Sequence, residues 1–221
     1  MLFWNFLTDF GDTAVTLPLA AMTLALLLAG GARRAALAWV LAVGLCGLSM
    51  ALLKLAFGSC GAGLNVRPFS PSGHSALSVM VYGGMALLFS TTAMPRRLIF
   101  RLLAMLFAAG IALSRIMVSA HTPVEVVVGL LIGLGALVVL AQGLRREVLV
   151  LAWPASRVVA LTVLLVTLMH GFRWPIESNL LRFGFNSRPL ERVCALTESL
   201  RPALASGHRK LPGGGTEDPT R

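Results

Sequence analysis

Charge is what this sequence has least of. Only 13% of its 221 residues are Asp, Glu, Lys or Arg, against roughly 25% in a soluble globular domain. Four stretches, residues 13–32, 35–53, 74–94 and 126–144, contain none at all. Each approaches the ~20 apolar residues that cross a hydrocarbon layer ~30 Å thick. Together with a mean hydropathy of +0.82, these runs exclude a soluble globular domain. Two weaker runs, 98–113 (with Arg101 able to snorkel at one end) and 155–172, bring the expected helices to six. Strand alternation, internal repeats and long polar insertions are also missing. The expected fold is therefore all-α, a polytopic membrane bundle of about six transmembrane helices. No carboxylate cluster of the kind that holds Mg²⁺ is present, and neither a metal nor a cofactor is expected.

Acidic residues are scarce enough that their places matter. Asp9 and Asp12 precede the first apolar run, where a secretory signal would carry basic residues. That run reads as a retained helix, preceded by an interfacial segment around Phe3, Trp4 and Phe6. The three cysteines constrain little. Cys46 lies inside an apolar run and reads as packing. Cys60 and Cys194 fall on one side of the expected topology, which leaves a disulfide between them open.

The net charge of +10 would suit a nucleic-acid partner if it formed a single patch, but it does not. Arg33 and Arg34 follow the first run, Arg96, Arg97 and Arg101 the third, and Arg145 and Arg146 the fifth. These alternate loops share one side, which the positive-inside rule makes cytoplasmic. No nucleic-acid partner is expected, and both termini fall outside. From about Glu177 the chain turns basic and loses apolar periodicity, with Arg182, Arg188, Arg192, Arg201, Arg209, Lys210 and a Gly213-Gly214-Gly215 run. The organisation that follows is a membrane-embedded core over 1–175 and a basic, partly disordered tail over 176–221. A short surface helix within 176–200 is one option for the start of that tail. Trp39, Trp153 and Trp174 suit membrane boundaries, His170 ends the last run at the interface, and His208 lies in the tail. Gly83, Gly84, Gly129, Gly133 and Gly135 read as sites of close helix packing.

Against this hydrocarbon background, polar groups concentrate in two segments on the outer side. Such residues are costly at membrane depth and point to function. The first is Arg67-Pro68-Phe69-Ser70-Pro71-Ser72-Gly73-His74, opening the third run. Ser70 is a candidate helix cap with Pro71 in the first turn. Gly73 lets backbone approach a ligand, and N–H groups at a helix start bind phosphate. A capped helix start alone would not explain His74. The second segment is Ser114-Arg115-Ile116-Met117-Val118-Ser119-Ala120-His121-Thr122-Pro123-Val124-Glu125. Thr122 and Glu125 fit a capping box with Pro123 at the first helical position. Glu125 then has two compatible readings, a helix cap or the carboxylate that orients His121 and stabilises its positive charge. Arg115 is either an interface anchor or a phosphate ligand.

Pro71-Ser72-Gly73-His74 followed by Ser114-Arg115, five residues and His121 resembles the second and third motifs of the type-2 phosphatidic acid phosphatase superfamily. These are integral-membrane lipid phosphatases with a helical core, related in the active site to vanadium haloperoxidases. The resemblance covers roughly residues 54–143. It implies His121 as the nucleophile forming a phosphohistidine, His74 as the general acid, and Arg115, Ser72 and the Gly73 N–H as phosphate ligands. Phosphoryl transfer asks chiefly for positioning and charge compensation, which arginine supplies bidentately. Two departures stand out. Glu125 takes a place that is Asp in the family, adding one methylene. The first motif, Lys, six residues and Arg-Pro, is reduced to Arg67-Pro68 close to Pro71, with Lys54 farther upstream. Lys54, at the outer end of the second run, either faces the phosphate across the glycine-rich loop 58–63 or is a snorkelling anchor.

The implied activity is hydrolysis of a lipid phosphate or pyrophosphate at the outer face of a cell inner membrane, with the lipid phosphate as substrate partner. A phosphotransferase would use the same residues, and a catalytically silent lipid-phosphate-binding scaffold would keep the arginines. The intact histidine pair argues against the last.

Overall fold

In the computed structural model, residues 1–61, 70–90, 96–145, 153–172 and 174 are described, with only the backbone of 56–61 and 155. Arg67, the possible Cys60–Cys194 pair and the tail 176–221 lie outside the described residues. The described residues are helical and contain no strand. The helices are α1 (Leu2–Asp9), α2 (Thr13–Ala29), α3 (Arg33–Gly61), α4 (Gly73–Phe89), α5 (Arg97–Met117), α6 (Pro123–Gly143) and α7 (Ala155–Met169). Four segments are long and apolar enough to cross a membrane: Leu2–Ala29, Arg33–Leu55, Arg97–Met117 and Pro123–Gly143. The Gly73–Phe89 and Ser156–Met169 helices are shorter. The bundle thus has the expected all-α membrane character, with four full-length candidate spans. The fourth apolar run, weak in sequence, forms one of the four, because its arginines sit near its ends.

Local chemistry explains the helix ends that matter for the site. Asp12 caps α2, its Oδ1 accepting the Ala14 N–H at 2.8 Å. The helix closes at Gly31, whose φ of 74° allows the Ala32 N–H to reach Leu27 O and the Gly31 N–H to reach Leu28 O. This reversal, a Schellman motif, sends α3 straight back along α2. With a rise of 1.5 Å per residue, Lys54 stands about 32 Å along α3 from its start, near the far edge of the hydrocarbon layer. The helix continues through Gly61, so the first part of the expected glycine-rich loop 58–63 is helical.

A second Schellman reversal joins α5 to α6. The Ala120 N–H bonds Arg115 O and the Ser119 N–H bonds Ile116 O. Here Ser119 occupies the left-handed position, at φ 56°, where glycine is usual. α6 then starts with the expected capping box of Thr122 and Glu125, Pro123 leading the first turn.

α4 is interrupted by a π-helical stretch, Val79–Gly83, a feature the sequence did not announce. Its packing on α6 is governed by glycines. A Cβ on Gly129 would collide with the Ser72 carbonyl oxygen, and one on Gly133 would stand 2.5 Å from Ala76 O. Gly84 is as tight, against the Trp39 ring at 2.5 Å, and Gly83 is less so, with Leu137 and Met105 side chains at 3.0 Å. Gly135 meets nothing within 4 Å, so its expected packing role is not observed. Gly129→Ala is therefore expected to lower stability by about 1–3 kcal/mol through overpacking. Gly135→Ala is expected to be neutral or to stabilise by up to ~1 kcal/mol through helix propensity. Thermal unfolding of the two variants in detergent checks the contrast, and equal behaviour would refute it.

The core lies where α2, α3, α4 and α6 meet, around Leu19, Trp39, Met80 and Leu140. Trp39 corrects an expectation. It is buried, with Nε1–H donating to Ala20 O at 2.9 Å, and fills the core rather than the membrane boundary. The outward faces of α3, α5 and α6 carry exposed Leu41, Leu48, Leu102, Leu106 and Leu131, as lipid contact requires. At the end away from the motifs, Arg101 does more than snorkel. Its Nε donates to Ser90 Oγ at 2.7 Å and Nη2 to Ser90 O at 3.2 Å, closing the end of α4.

Candidate active site

The antiparallel helices bring the starts of α2, α4 and α6 and the ends of α3 and α5 to one end of the bundle. At the start of α4 the cap is Ser72 rather than the expected Ser70. Ser72 Oγ accepts from the Ser75 N–H at 3.4 Å and from the Ser75 hydroxyl at 2.9 Å. The chain ahead of it is tied to α6. Ser70 N–H donates to Glu125 Oε1 at 2.9 Å, and Ser72 N–H donates to Glu125 O at 3.0 Å. Gly73 and His74 follow as the first helical residues, and helix-start N–H groups lack intrahelical acceptors.

Glu125 joins the two motifs. It is buried, 3% exposed. Besides Ser70, it accepts the Thr122 N–H on Oε2 at 2.8 Å, and the same oxygen lies 3.3 Å from His121 Nδ1. Cap and histidine partner, the two readings of Glu125, are thus realised by one side chain. His121 is held from behind as well, its N–H donating to Arg115 O at 3.2 Å. The Schellman reversal therefore sets the spacing between Ser114-Arg115 and His121. Arg115 turns back toward the N-terminus, Nη1 donating to Thr8 Oγ1 at 2.9 Å.

On the other flank, His74 Nε2 lies 3.6 Å from Asp12 Oδ2. Lys54 is buried, 7% exposed, and its Cε stands 4.0 Å from where a Gly73 Cβ would be. At that depth it faces the start of α4 inside the bundle and not the surrounding lipid. Asp12, Lys54, Gly73 and His74 line one cavity of about 270 Å³ that continues between α2 and α3 along Leu17, Val43 and Met50. Among the described residues, no group of three or more His, Cys, Asp and Glu side chains gathers into a metal-ligand set.

Of the expected site residues, His121, Glu125, Ser72 and Arg115 are connected through Glu125 and the α5–α6 reversal, while His74, Gly73 and Lys54 share the cavity. Sequence reasoning missed Thr8 and Asp12. The only signal for Asp12 was a carboxylate at the start of an apolar run. His170, expected at the interface, packs its ring 4.6 Å from both Phe6 and Phe10, and its Nε2 lies 3.0 Å from Phe6 O. It fastens α1 to the end of α7.

Comparison with known proteins places the chain in a family. Over 203 residues the chain is 30% identical to an uncharacterized 22.5 kDa protein in the cps region of Klebsiella pneumoniae, covering 88% of this chain and 96% of that one. No solved structure matches. Residues 35–148, about half of the chain and the whole of both motifs, match the PAP2 superfamily; with that match and that relative, the chain belongs to the PAP2 superfamily.

Proposed function

We propose that this protein hydrolyses a lipid phosphate or pyrophosphate at the outer face of the membrane, through a phosphohistidine on His121 and without a metal. Superfamily members are phosphatases acting on phosphate esters, and the four apolar spans suit a multi-pass membrane protein. The observation that carries the lipid assignment is the cavity. It is polar where Asp12, Lys54 and His74 meet and apolar along Leu17, Val43 and Met50, the profile of a phosphate headgroup attached to a hydrocarbon chain. Its polar end lies opposite Arg33, Arg34, Arg97 and Arg101, which supports an outward-facing site.

With Nδ1 turned to Glu125, His121 offers Nε2 as nucleophile. Nε2 attacks phosphorus, the P–O bond to the lipid breaks, and the departing oxygen takes a proton from His74. Water then attacks the phosphohistidine, the P–N bond breaks, and His74 regains its proton as inorganic phosphate leaves. Arg115, Ser72, the Gly73 N–H, Lys54 and Arg67 compensate the charge of the equatorial oxygens.

Inorganic phosphate release by the detergent-purified protein, measured with EDTA present across a panel of lipid phosphates and pyrophosphates, tests the reading. Release is expected to resist EDTA. For alkyl phosphates of increasing length, kcat/KM is expected to rise by about 3-fold or more per added pair of methylenes, up to the length of the cavity. A water-soluble phosphate monoester used as well as its long-chain counterpart would overturn the lipid assignment.

A further inference from the structure

Asp12 lies outside the residues that match the superfamily, yet it faces a histidine of the motif. We propose that Asp12 is the positioning residue of the general acid, orienting His74 and stabilising its protonated form. The inference rests on the phosphatase reading above.

Asp12 is 7% exposed and its two oxygens divide their work. Oδ1 holds the start of α2 through the Ala14 N–H and lies 3.5 Å from the Trp174 N–H. Oδ2 is thereby aimed at His74 Nε2, 3.6 Å away. The carboxylate is anchored by the helix it caps, so its direction does not depend on a flexible side chain.

The turn that carries it is seated directly on α4. A Cβ on Gly11 would stand 3.2 Å from His74 Cβ, 3.0 Å from Ser78 Oγ and 2.6 Å from Ile111 Cγ2, so only glycine permits this approach. One residue earlier, Phe10 O accepts the Tyr82 hydroxyl at 2.7 Å. Thr8 meets Arg115 from the same turn. The segment from Thr8 to Asp12 is thus fastened to both α4 and α5, and it presents the acceptor that a histidine acid requires.

The chemistry follows. A carboxylate on Nε2–H stabilises the imidazolium and fixes the ring, as the buried aspartate does in a serine-protease triad. Nδ1–H then delivers its proton to the oxygen leaving phosphorus as the P–O bond breaks. In the second half-reaction the neutral Nδ1 takes a proton from the attacking water. Asp12 itself exchanges no proton with the substrate.

The test compares wild type with Asp12→Asn, which keeps the helix cap, since Asn caps as well as Asp, and removes the charge. Two probes share one hydrocarbon chain: a long-chain alkyl phosphate, whose alkoxide must be protonated to leave, and a nitrophenyl phosphate bearing the same chain, whose phenolate leaves without a proton. The parameter is kcat/KM, which covers binding and P–O cleavage but not hydrolysis of the phosphohistidine; the shared chain keeps the binding contribution alike for the two probes. Asp12→Asn is expected to lower it about 10- to 100-fold for the alkyl phosphate and by less than about 3-fold for the aryl phosphate, with an unchanged thermal midpoint. Equal losses on both probes, or no loss on either, would overturn the role of Asp12 while leaving the phosphatase reading intact. No phosphate release by wild type from either probe would overturn the phosphatase reading, and this inference with it.

Discussion

His121→Ala is expected to reduce phosphate release by about a thousandfold or more, to the level of the detergent blank. Removing a covalent nucleophile eliminates the path itself, and losses of this order or larger follow in enzymes whose catalytic groups act as a unit. The geometry gives the reason. His121 N–H is pinned to Arg115 O and its Nδ1 faces the buried Glu125 carboxylate at 3.3 Å, so the ring is already oriented before substrate arrives. Such preorganisation is what makes an intramolecular attack fast. The residue sits in the α5–α6 reversal and outside the apolar core, so the variant is expected to retain its helical content and thermal midpoint. Quenching in alkaline denaturant with radiolabelled substrate supplies an independent readout: wild type is expected to carry label on histidine that survives base and is lost on acid treatment, and His121→Ala none. Turnover by a folded His121→Ala protein within tenfold of wild type would exclude His121 as the nucleophile.

Glu125→Gln is expected to cost both activity and stability, and the double loss distinguishes it from the preceding variant. Glu125 accepts the Ser70 N–H on one oxygen and the Thr122 N–H on the other. A glutamine side chain has one carbonyl oxygen, so one of these N–H groups would meet an NH₂ instead of an acceptor. A buried donor left without its partner costs about 1–3 kcal/mol. The negative charge beside His121 also disappears, and with it the control of ring orientation, for which a loss of about 10²- to 10⁴-fold in kcat is expected. Glu125→Asp keeps the charge but not the reach, because a side chain shorter by one methylene cannot hold Ser70, Thr122 and His121 together. That variant is expected to fall between wild type and Glu125→Gln. A Glu125→Gln protein with both thermal midpoint and turnover unchanged would refute both the tethering and the catalytic role of the carboxylate.

The departure from the family pattern at this position has a structural explanation. Glutamate serves as capping-box residue, as tether for the Ser70–Ser72 segment and as partner of His121. The capping box was legible because its four residues are consecutive and their bonds are local. The apolar runs were legible for a similar reason, since crossing a bilayer is a property of one continuous segment. The cap of α4 was misplaced by two residues because Ser70 and Ser72 are equally good caps by type. Burial and the bonds to Glu125 decided between them. Trp39 was misread because a tryptophan in an apolar run suits a boundary as well as a core, and only the facing Gly84 and Ala20 carbonyl fix the choice.

By itself, the sequence determined that the chain is a helical membrane protein, and its motif spacing determined which residues are exceptional within the hydrocarbon. Those properties depend on composition and on neighbours within a turn or two. The tertiary structure alone decided which of the exceptional residues meet. Thr8 and Arg115, 107 residues apart, and Asp12 and His74 carry no pattern that pairs them. They are brought together because backbone packs without side chains in the way, α4 against Gly129 and Gly133, and the Gly11 turn against both α4 and Ile111 of α5. Backbone approach of this kind is set by shape across the whole bundle, and that shape turns scattered polar residues into a site.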